Sequence, residues 1–431
     1  MVINRNYTWL WVGRTVSTLG DVVFDTTVLL WVATVLLAGR PSAPLVSGAV
    51  LAVVAGTVVL VGPVAGALVD RWPDKRRTML SADLLRAGLI GALTLVAALP
   101  DGTVPLPVLL GLIGVLVAAS TAVAQFFNAA RFVLLGDVVP ADLRGRAAGY
   151  HQAVVASAAL VGPPLAGPLL FAAGPQWALA ANAASFLVSY AAIRAVRVAP
   201  TATVPAPRRK PSWGREYLAG FRFVARDRIL RAVLLTRTVA VVGAGAVTAL
   251  DVYFVAENLR AEPRIWFGVL SAALGLGALA GGLVGGRCAD RYGPARVYAA
   301  AVLANGALLL GYSRADAIGP ALVLAFCESL TVGVLASAAM PLFQRRVPRD
   351  HQGRVSSVLT LSYHLPALVS ASLAGLLVST VLRDPHLAVA GVHLGRIDTV
   401  FGAAALLVLA AGCYAARALR TADTPPRTPP N

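Results

Sequence analysis

Charged side chains stand inside long apolar stretches of this 431-residue sequence. A charge at the centre of a bilayer costs about 2.5–3.5 kcal/mol on insertion scales, so such residues usually face a partner or a water-filled cavity. Burial also disfavours the charged form of a carboxyl group, which suits an acid for binding a proton on one side and releasing it on the other. We predict that role for Asp25 and Glu328, one in each half of the chain, with Asp21 as a third candidate.

The same acids have a structural interpretation, which the sequence leaves open. Asp25 could accept hydrogen bonds from Thr26 or Thr27, and Glu328 could accept one from Ser329. Such carboxylates would hold helices in place and carry no proton.

One further pair of opposite charges lies within a single apolar stretch. Asp83 and Arg86 are three residues apart, which places them on one face of a helix and predicts a structural ion pair between them. Arg14 and Asp251 lie nearer the ends of their stretches, and His151 is expected to be a hydrogen-bonded packing residue.

The composition explains why these stretches must be membrane spans. Apolar residues make up 58% of the chain and charged residues 13%, and the mean hydropathy is +0.74. Soluble domains carry roughly 25% charged residues, so this chain cannot cover two or three soluble domains with charge. Stretches of about 20 apolar residues are long enough to cross a bilayer as helices. The sequence predicts twelve such spans, near 10–38, 45–69, 78–99, 106–130, 147–171, 177–195, 231–256, 265–286, 296–313, 318–341, 355–381 and 398–418.

The Lys and Arg residues of the chain are concentrated in the loops on one side of the predicted membrane. With both termini placed in the cytoplasm, 28 of the 37 Lys and Arg residues fall on the cytoplasmic side. Cytoplasmic loops carry such an excess, so this asymmetry predicts the orientation and accounts for the net charge of +17 without a nucleic-acid partner. The many Arg, Ala and Gly residues suggest a bacterial source, and hence a multi-pass protein of the bacterial inner membrane.

The two halves of the chain repeat short elements at matching positions. Gly66-Ala-Leu-Val-Asp70-Arg71 follows the second span, and Gly286-Arg-Cys-Ala-Asp290-Arg291 follows the eighth. An all-α membrane fold of two parallel six-helix repeats explains this pattern. The predicted parts are an N-terminal half, a cytoplasmic linker with an amphipathic interfacial helix, a C-terminal half and a disordered tail, over 1–195, 196–230, 231–420 and 421–431.

The repeated loop element resembles the signature loop of the major facilitator superfamily. That resemblance implies a secondary transporter that works by alternating access, with the loop acting as a latch between the halves on the cytoplasmic side. The implied latch residues are Gly66, Asp70, Arg71, Lys75, Arg76, the charge partner Asp137, and in the second copy Gly286, Asp290 and Arg291. Pro73 and Asp74 depart from the family pattern, which usually has Gly and a base there.

A second element, Gly162-Pro163-Pro-Leu-Ala-Gly167, resembles the Gly-Pro motif of proton-driven exporters in this superfamily. Plain helix packing is the alternative, since Gly and Pro are common in spans. Ser17-Thr-Leu-Gly-Asp21 and Phe127-Asn-Ala-Ala-Arg131 are similar to the bacterial drug:proton antiporter branch that contains macrolide exporters and the enterobactin exporter. The implied activity is multidrug or macrolide efflux in exchange for protons.

No nucleotide-binding loop or catalytic constellation occurs in the sequence. We therefore expect a transporter and not an enzyme, with no cofactor and no metal, driven by an ion gradient and working as a monomer on a small-molecule substrate. A lipid or lysolipid flippase, a small-molecule importer, and a non-transporting scaffold or sensor remain as alternatives.

Overall fold

A computed structural model describes residues 3–100, 102–140, 143–197, 213–344, 346–347, 352–382, 388–389, 392–393 and 395–420. Most of the predicted linker, 198–212, and the predicted disordered tail, 421–431, lie outside the described residues. The side chain of Asp70 lies outside them too.

Six long helices form the first part of the chain. Three of them begin with Pro at the first or second helical position, where the missing N–H costs nothing. A π-helical turn extends the first helix over Val32–Leu36 and the fifth over Leu169–Ala173. The helices are α1 Arg5–Trp31, α2 Ala43–Arg71, α3 Lys75–Ala97, α4 Leu106–Val138, α5 Arg144–Pro168 and α6 Pro175–Ala195.

Seven helices and one short hairpin follow. The strands β1 Ala388–Val389 and β2 Val392–His393 pair antiparallel. The helices are α7 Trp213–Arg226, α8 Arg228–Glu257, α9 Pro263–Tyr292, α10 Pro294–Tyr312, α11 Ile318–Gln344, α12 Gln352–Ser379 and α13 Arg396–Ala418.

Twelve of the described helices, all except α7, are long and apolar enough to cross a membrane. The predicted all-α fold with twelve spans is therefore confirmed, including the seventh span, which forms one continuous helix over Arg228–Glu257. Helices suit a bilayer because each one satisfies its backbone hydrogen bonds internally.

The chain forms two compact units. Unit 1 comprises Met1–Lys210 and Pro263–Ala272. In it α1 packs against α5 and α6, α3 packs against α4 and α6, and α2 packs against α4. Fully buried apolar side chains line these contacts, among them Val69, Met79 and Ile193. Both α1 and α3 pack against α6, which brings Asp21 of α1 within reach of Arg86 of α3.

Unit 2 comprises Pro211–Glu262 and Ala273–Asn431. Here α10 packs against α11 and α13, while α8 packs against α12 and α13. The short helix α7 contacts α12 and α8, with Val224 fully buried and Phe221 exposed. Asp227 ends α7 and caps α8, because its Oδ1 accepts hydrogen bonds from the N–H groups of Ile229 and Leu230. The membrane-surface position of α7 stays a prediction.

The contact between α9 and α11 depends on glycine. A methyl group at Gly281 would lie 1.9 Å from the carbonyl oxygen of Leu330, whereas one at the neighbouring Gly282 would meet nothing within 4 Å. Small residues let helix backbones approach closely in membranes, and here the approach leaves no room for even one Cβ atom.

We predict that Gly281→Ala lowers the free energy of unfolding by about 1–3 kcal/mol, because α9 and α11 must move apart. Gly282→Ala is the matched control and should be neutral or slightly stabilising, since Ala is the better helix former by about 1 kcal/mol. Thermal unfolding of the two variants in detergent measures the difference. Equal melting temperatures would contradict the described packing.

Candidate functional site

In unit 1, an ion pair joins α1 to α3. Arg86 donates from Nη2 to Oδ1 of Asp21 at 2.8 Å, and its Nε lies 3.4 Å from Oγ of Ser120 on α4. The guanidinium also lies 4.0 Å from the ring centroid of Phe186 on α6. Arg86 is 6% exposed, so four helices enclose this single cation.

A second carboxylate lies near the same arginine. Asp83, one turn before Arg86 on α3, is fully buried, and neither of its oxygens has a hydrogen-bond partner of good geometry among the described residues. The charges of Arg86, Asp21 and Arg14 act on this carboxylate, and the Ser189 hydroxyl of α6 is beside it. Two carboxylates therefore share the field of one closely placed guanidinium.

The predicted pairing of Asp83 with Arg86 is thus corrected. Spacing along α3 places both side chains on one face, but the long arginine side chain reaches across to Asp21 of α1. Asp21 keeps a side-chain exposure of 25%, so an ion pair there loses less hydration than one at the fully buried Asp83.

Asp25 lies one turn beyond Asp21 on α1, and its side chain is exposed. It has no hydrogen bond or ion pair with the part of the chain that the structure describes. The hydroxyl of Thr27 is itself buried without a partner, so the structural alternative of a bond from Thr27 to Asp25 is not formed.

In unit 2, Glu328 binds an amide instead of a cation. Asn305 of α10 donates from Nδ2 to Oε1 of Glu328 at 2.8 Å, and the same nitrogen lies 3.1 Å from Oγ1 of Thr331. Asn305 is buried, which fixes the position of the Glu328 carboxyl group on α11. The expected alternative partner, Ser329, makes no such bond.

Asp251 is a buried acid that the sequence reasoning undervalued. It is 4% exposed and accepts a hydrogen bond from Oη of Tyr312 at 3.0 Å. The rings of Phe254 and Phe401 pack on Tyr312 with centroid distances of 4.8 and 5.9 Å. Asp251 lies near the end of its span, as expected, in the last two turns of α8. Its burial depends on the packing of Tyr312 against it, for which the sequence carries no signal.

The predicted latch bases Lys75 and Arg76 donate hydrogen bonds to backbone carbonyls within unit 1. Lys75 donates from Nζ to the carbonyls of Val69 and Trp72 at the end of α2. Arg76 donates from Nε and Nη2 to the carbonyls of Ile193 and Arg194 at 3.1 and 2.7 Å, at the end of α6. Cations suit helix C-termini, where carbonyls lack partners and the dipole is negative.

The remaining loop residues lie at the surface. Arg71, Asp137, Asp290 and Arg291 are exposed. Gly66 and Gly286 have open space where a Cβ atom would lie. The structure therefore brings Lys75 and Arg76 to helix ends but does not bring Asp137 into an ion pair with the described bases.

The Gly-Pro element of α5 sits at two close contacts. A Cβ atom at Gly162 would lie 2.6 Å from Cγ1 of Val22 on α1, and one at Gly167 would lie 2.6 Å from the carbonyl oxygen of Arg264. Pro163 lies inside α5 without ending the helix. Within unit 1, this element is where α5 approaches α1 and the first turn of α9.

The described residues contain no group of three or more His, Cys, Asp or Glu side chains that could hold a metal ion.

We predict that Asp21 and Asp83 are energetically coupled through Arg86. Asp21→Asn alone should cost about 1–2 kcal/mol of unfolding free energy, because Arg86 can turn to Asp83. The double variant Asp21→Asn/Asp83→Asn should cost at least about 3 kcal/mol, because it leaves the buried cation without an acid. A double-mutant cycle with chemical unfolding measures the coupling, and strictly additive effects would contradict it.

We also predict that Tyr312→Phe destabilises unit 2 by about 1–3 kcal/mol, since it leaves the buried Asp251 carboxyl group without its donor. Tyr414→Phe removes the same hydroxyl from an exposed ring on α13 and should change stability by less than about 0.5 kcal/mol. Thermal melts of the two purified variants give the comparison. Equal losses of stability in the two variants would show that the bond from the Tyr312 hydroxyl to Asp251 does not contribute to stability.

Comparison with known proteins agrees with this architecture. Residues 2–379 match the family model described as transmembrane secretion effector. The chain is 21% identical over 308 residues to the uncharacterized MFS-type transporter YkuC of Bacillus subtilis (strain 168), covering 68% of each protein. A bacterial homologue of the iron transporter ferroportin, crystallised in an inward-facing state, shares the fold with a TM-score of 0.73 and 16% identity, over 96% of this chain and 98% of that one.

The nucleoside transporter NupG also shares the fold, with a TM-score of 0.71 and 12% identity, over 96% of this chain and 100% of that one. The structural likenesses lie below 25% identity and speak for the fold. The family match covers most of the chain, and with the twelve spanning helices it identifies the chain as a membrane transporter of the major facilitator superfamily, in the transmembrane secretion effector family.

Proposed function

We propose that this transporter exports a drug-like or natural-product small molecule across the bacterial inner membrane in exchange for protons, with both termini in the cytoplasm. The observation that carries the proposal is the arrangement of Asp21, Asp83 and Arg86, in which Asp21 contacts the enclosed cation and the unpartnered Asp83 carboxyl group lies in the field of the same cation. The description of the matching family as a secretion effector favours export over import.

The arrangement gives a proton a defined effect. When Asp21 is ionised, its carboxylate holds the Arg86 guanidinium through the 2.8 Å contact that joins α1 to α3. When Asp21 takes up a proton, Arg86 loses its counter-charge and turns to Asp83, one turn away on its own helix. With both acids ionised, Arg86 pairs with Asp21 and Asp83 is a second carboxylate without a hydrogen-bond partner among the described residues. Uptake of one proton by Asp21 leaves one carboxylate, Asp83, for the one guanidinium, and the link between α1 and α3 is released.

Asp25 extends this site toward solvent. It is the exposed acid one turn from Asp21, so it is suited to pass protons to Asp21 or to contact a basic substrate. Glu328 in unit 2 is a second proton-carrier candidate, held by Asn305 and close enough to Asp251 for their charges to interact.

The loop and motif residues would govern the conformational change. We assign the latch role to the loops after α2 and α9, with Lys75 and Arg76 fixing the ends of α2 and α6 while the exposed Arg71, Asp137, Asp290 and Arg291 remain available for other contacts. The close contacts of Gly162 and Gly167 suit α5 for movement with little side-chain obstruction. The expected working form is a monomer.

Everted membrane vesicles test the proposal directly. Respiration acidifies their interior, and quinacrine fluorescence reports the pH difference while macrolides and lipophilic dyes are added one at a time. A proton-coupled exporter moves its substrate inward and protons outward, so the correct compound raises the fluorescence. We predict that Asp21→Asn and Asp83→Asn each reduce the initial rate of this fluorescence rise at least about tenfold, because each leaves Arg86 fixed on one acid.

Asp316→Asn is the matched control, since it makes the same chemical change at an exposed acid between α10 and α11. It should keep the wild-type rate, and membrane levels of all variants should be compared by immunoblot. Wild-type rates in both Asp21→Asn and Asp83→Asn would refute the coupling mechanism. If the vesicles take up the same compound at an undiminished rate when a protonophore has removed the pH difference, proton-driven export is refuted altogether.

A further inference from the structure

A small cavity in unit 1 is surrounded by nitrogen atoms that lack partners. Its volume is about 30 Å³, and it lies among α1, α4 and α5. Four side chains on its wall each have a buried nitrogen with no hydrogen-bond partner among the described residues. They are Trp11 (Nε1), Arg14 (Nε), Arg131 (Nε) and His151 (Nδ1). We call this cavity the Arg14–Arg131 pocket.

Well-defined contacts hold the pocket together. The hydroxyl of Tyr7, whose side chain also lines the pocket, donates to the carbonyl of Ala147 at 3.1 Å and so ties α1 to α5. Asn4 donates from Nδ2 to the carbonyl of Val138 at 2.8 Å and ties α1 to α4. The pocket is therefore framed by three helices whose ends are fixed to one another.

The charge in the pocket is unbalanced. Arg14 and Arg131 each act on the other with like charge, and no Asp or Glu appears among its described lining residues. Asp21 and Asp83 act on Arg14 from further along the site, but neither lines the pocket. Two cations beside buried nitrogens with no acceptor are costly in a low-dielectric interior.

Water could satisfy the hydrogen bonds but not the charge. A monovalent anion would do both, because it accepts hydrogen bonds from several N–H donors at once and neutralises one of the two cations. The narrow space among the buried nitrogens has room for about two water-sized groups, which suits a halide better than a larger anion such as phosphate or sulfate.

We propose that the Arg14–Arg131 pocket binds one chloride-sized anion, which holds α1, α4 and α5 together. Neither member of the Asp21–Arg86 pair lines the pocket, although the charges of both act on Arg14. Anion binding needs neither proton coupling nor an identified substrate, so its failure or success leaves the proposed function untouched.

Halide-dependent stability of the purified full chain in detergent is the test. Thermal unfolding is followed while sodium chloride replaces sodium gluconate at constant ionic strength. The wild type should gain several degrees, about 5 °C at chloride concentrations well above the Kd, with the gain rising as the logarithm of the chloride concentration, and bromide should act alike. Trp11→Phe, which keeps the aromatic ring but loses the Nε1 donor, should raise the apparent Kd for chloride about tenfold.

Arg131→Gln should abolish the chloride effect, and in gluconate it should be as stable as the wild type or more so, because it removes the like-charge repulsion. A merely structural arginine would instead lower stability equally in both salts. Arg40→Gln, at an exposed arginine between α1 and α2, is the matched control and should respond to chloride as the wild type does.

Equal thermal stability of the wild type in chloride and in gluconate would overturn the proposal, and water would then be the occupant of the pocket. An undiminished chloride effect in both Arg131→Gln and Trp11→Phe would overturn it too. Should Arg131→Gln fail to fold, Trp11→Phe and the wild-type titration still decide. Crystals soaked in bromide give a second readout, with an anomalous peak expected beside Arg14 and Arg131, and its absence at saturating bromide would count against the site.

Discussion

Hydrocarbon offers no hydrogen-bond partner and hardly any solvation for charge, and the structure follows from that constraint. The backbone meets it with twelve spanning helices, each of which satisfies its own peptide groups. Where carbonyls remain unpaired at the ends of α2 and α6, Lys75 and Arg76 supply donors. Charged side chains within the spans then need hydrogen-bond or ion-pair partners. Where some of these partners are missing, a proton or an ion can bind.

The two units meet this constraint by different chemistry. Unit 1 balances charge with charge, at contact distance in the Asp21–Arg86 pair and over a longer distance between Asp83 and Arg14, and it places Arg131 beside Arg14 at the Arg14–Arg131 pocket. Unit 2 satisfies Asp251 and Glu328 with the neutral donors of Tyr312 and Asn305. Two six-helix repeats with a common plan thus contain sites of different electrostatic character.

Much of this architecture could be predicted from the sequence because the relevant signals are local. Apolar length and loop position gave the spans, and even the interrupted stretch around Arg237 and Asp251 proved to be one helix. What could not be predicted is which helix faces which. Spacing placed Arg86 beside Asp83, but its partner Asp21 is 65 residues away on another helix.

The same limit hid the pocket and the Tyr312–Asp251 bond. Nothing in the sequence alone places Arg131 and His151 together, and only the packing of α4 and α5 on α1 brings them to Arg14. The position of Asp251 near the end of α8 was predicted correctly, but that position does not show that its side chain is buried and bonded to Tyr312. Side-chain partners across helices depend on rotation and crossing of the helices, which hydropathy does not encode.

The central claim is that one guanidinium serves two acids. The most direct measurement is the structure of Asp21→Asn in a lipid nanodisc, at a resolution that defines the side chains of α3. The account predicts that the Arg86 guanidinium there lies within hydrogen-bond distance of the Asp83 carboxylate. An arginine that keeps its position toward residue 21 and Ser120, with Asp83 still unpartnered, would contradict it.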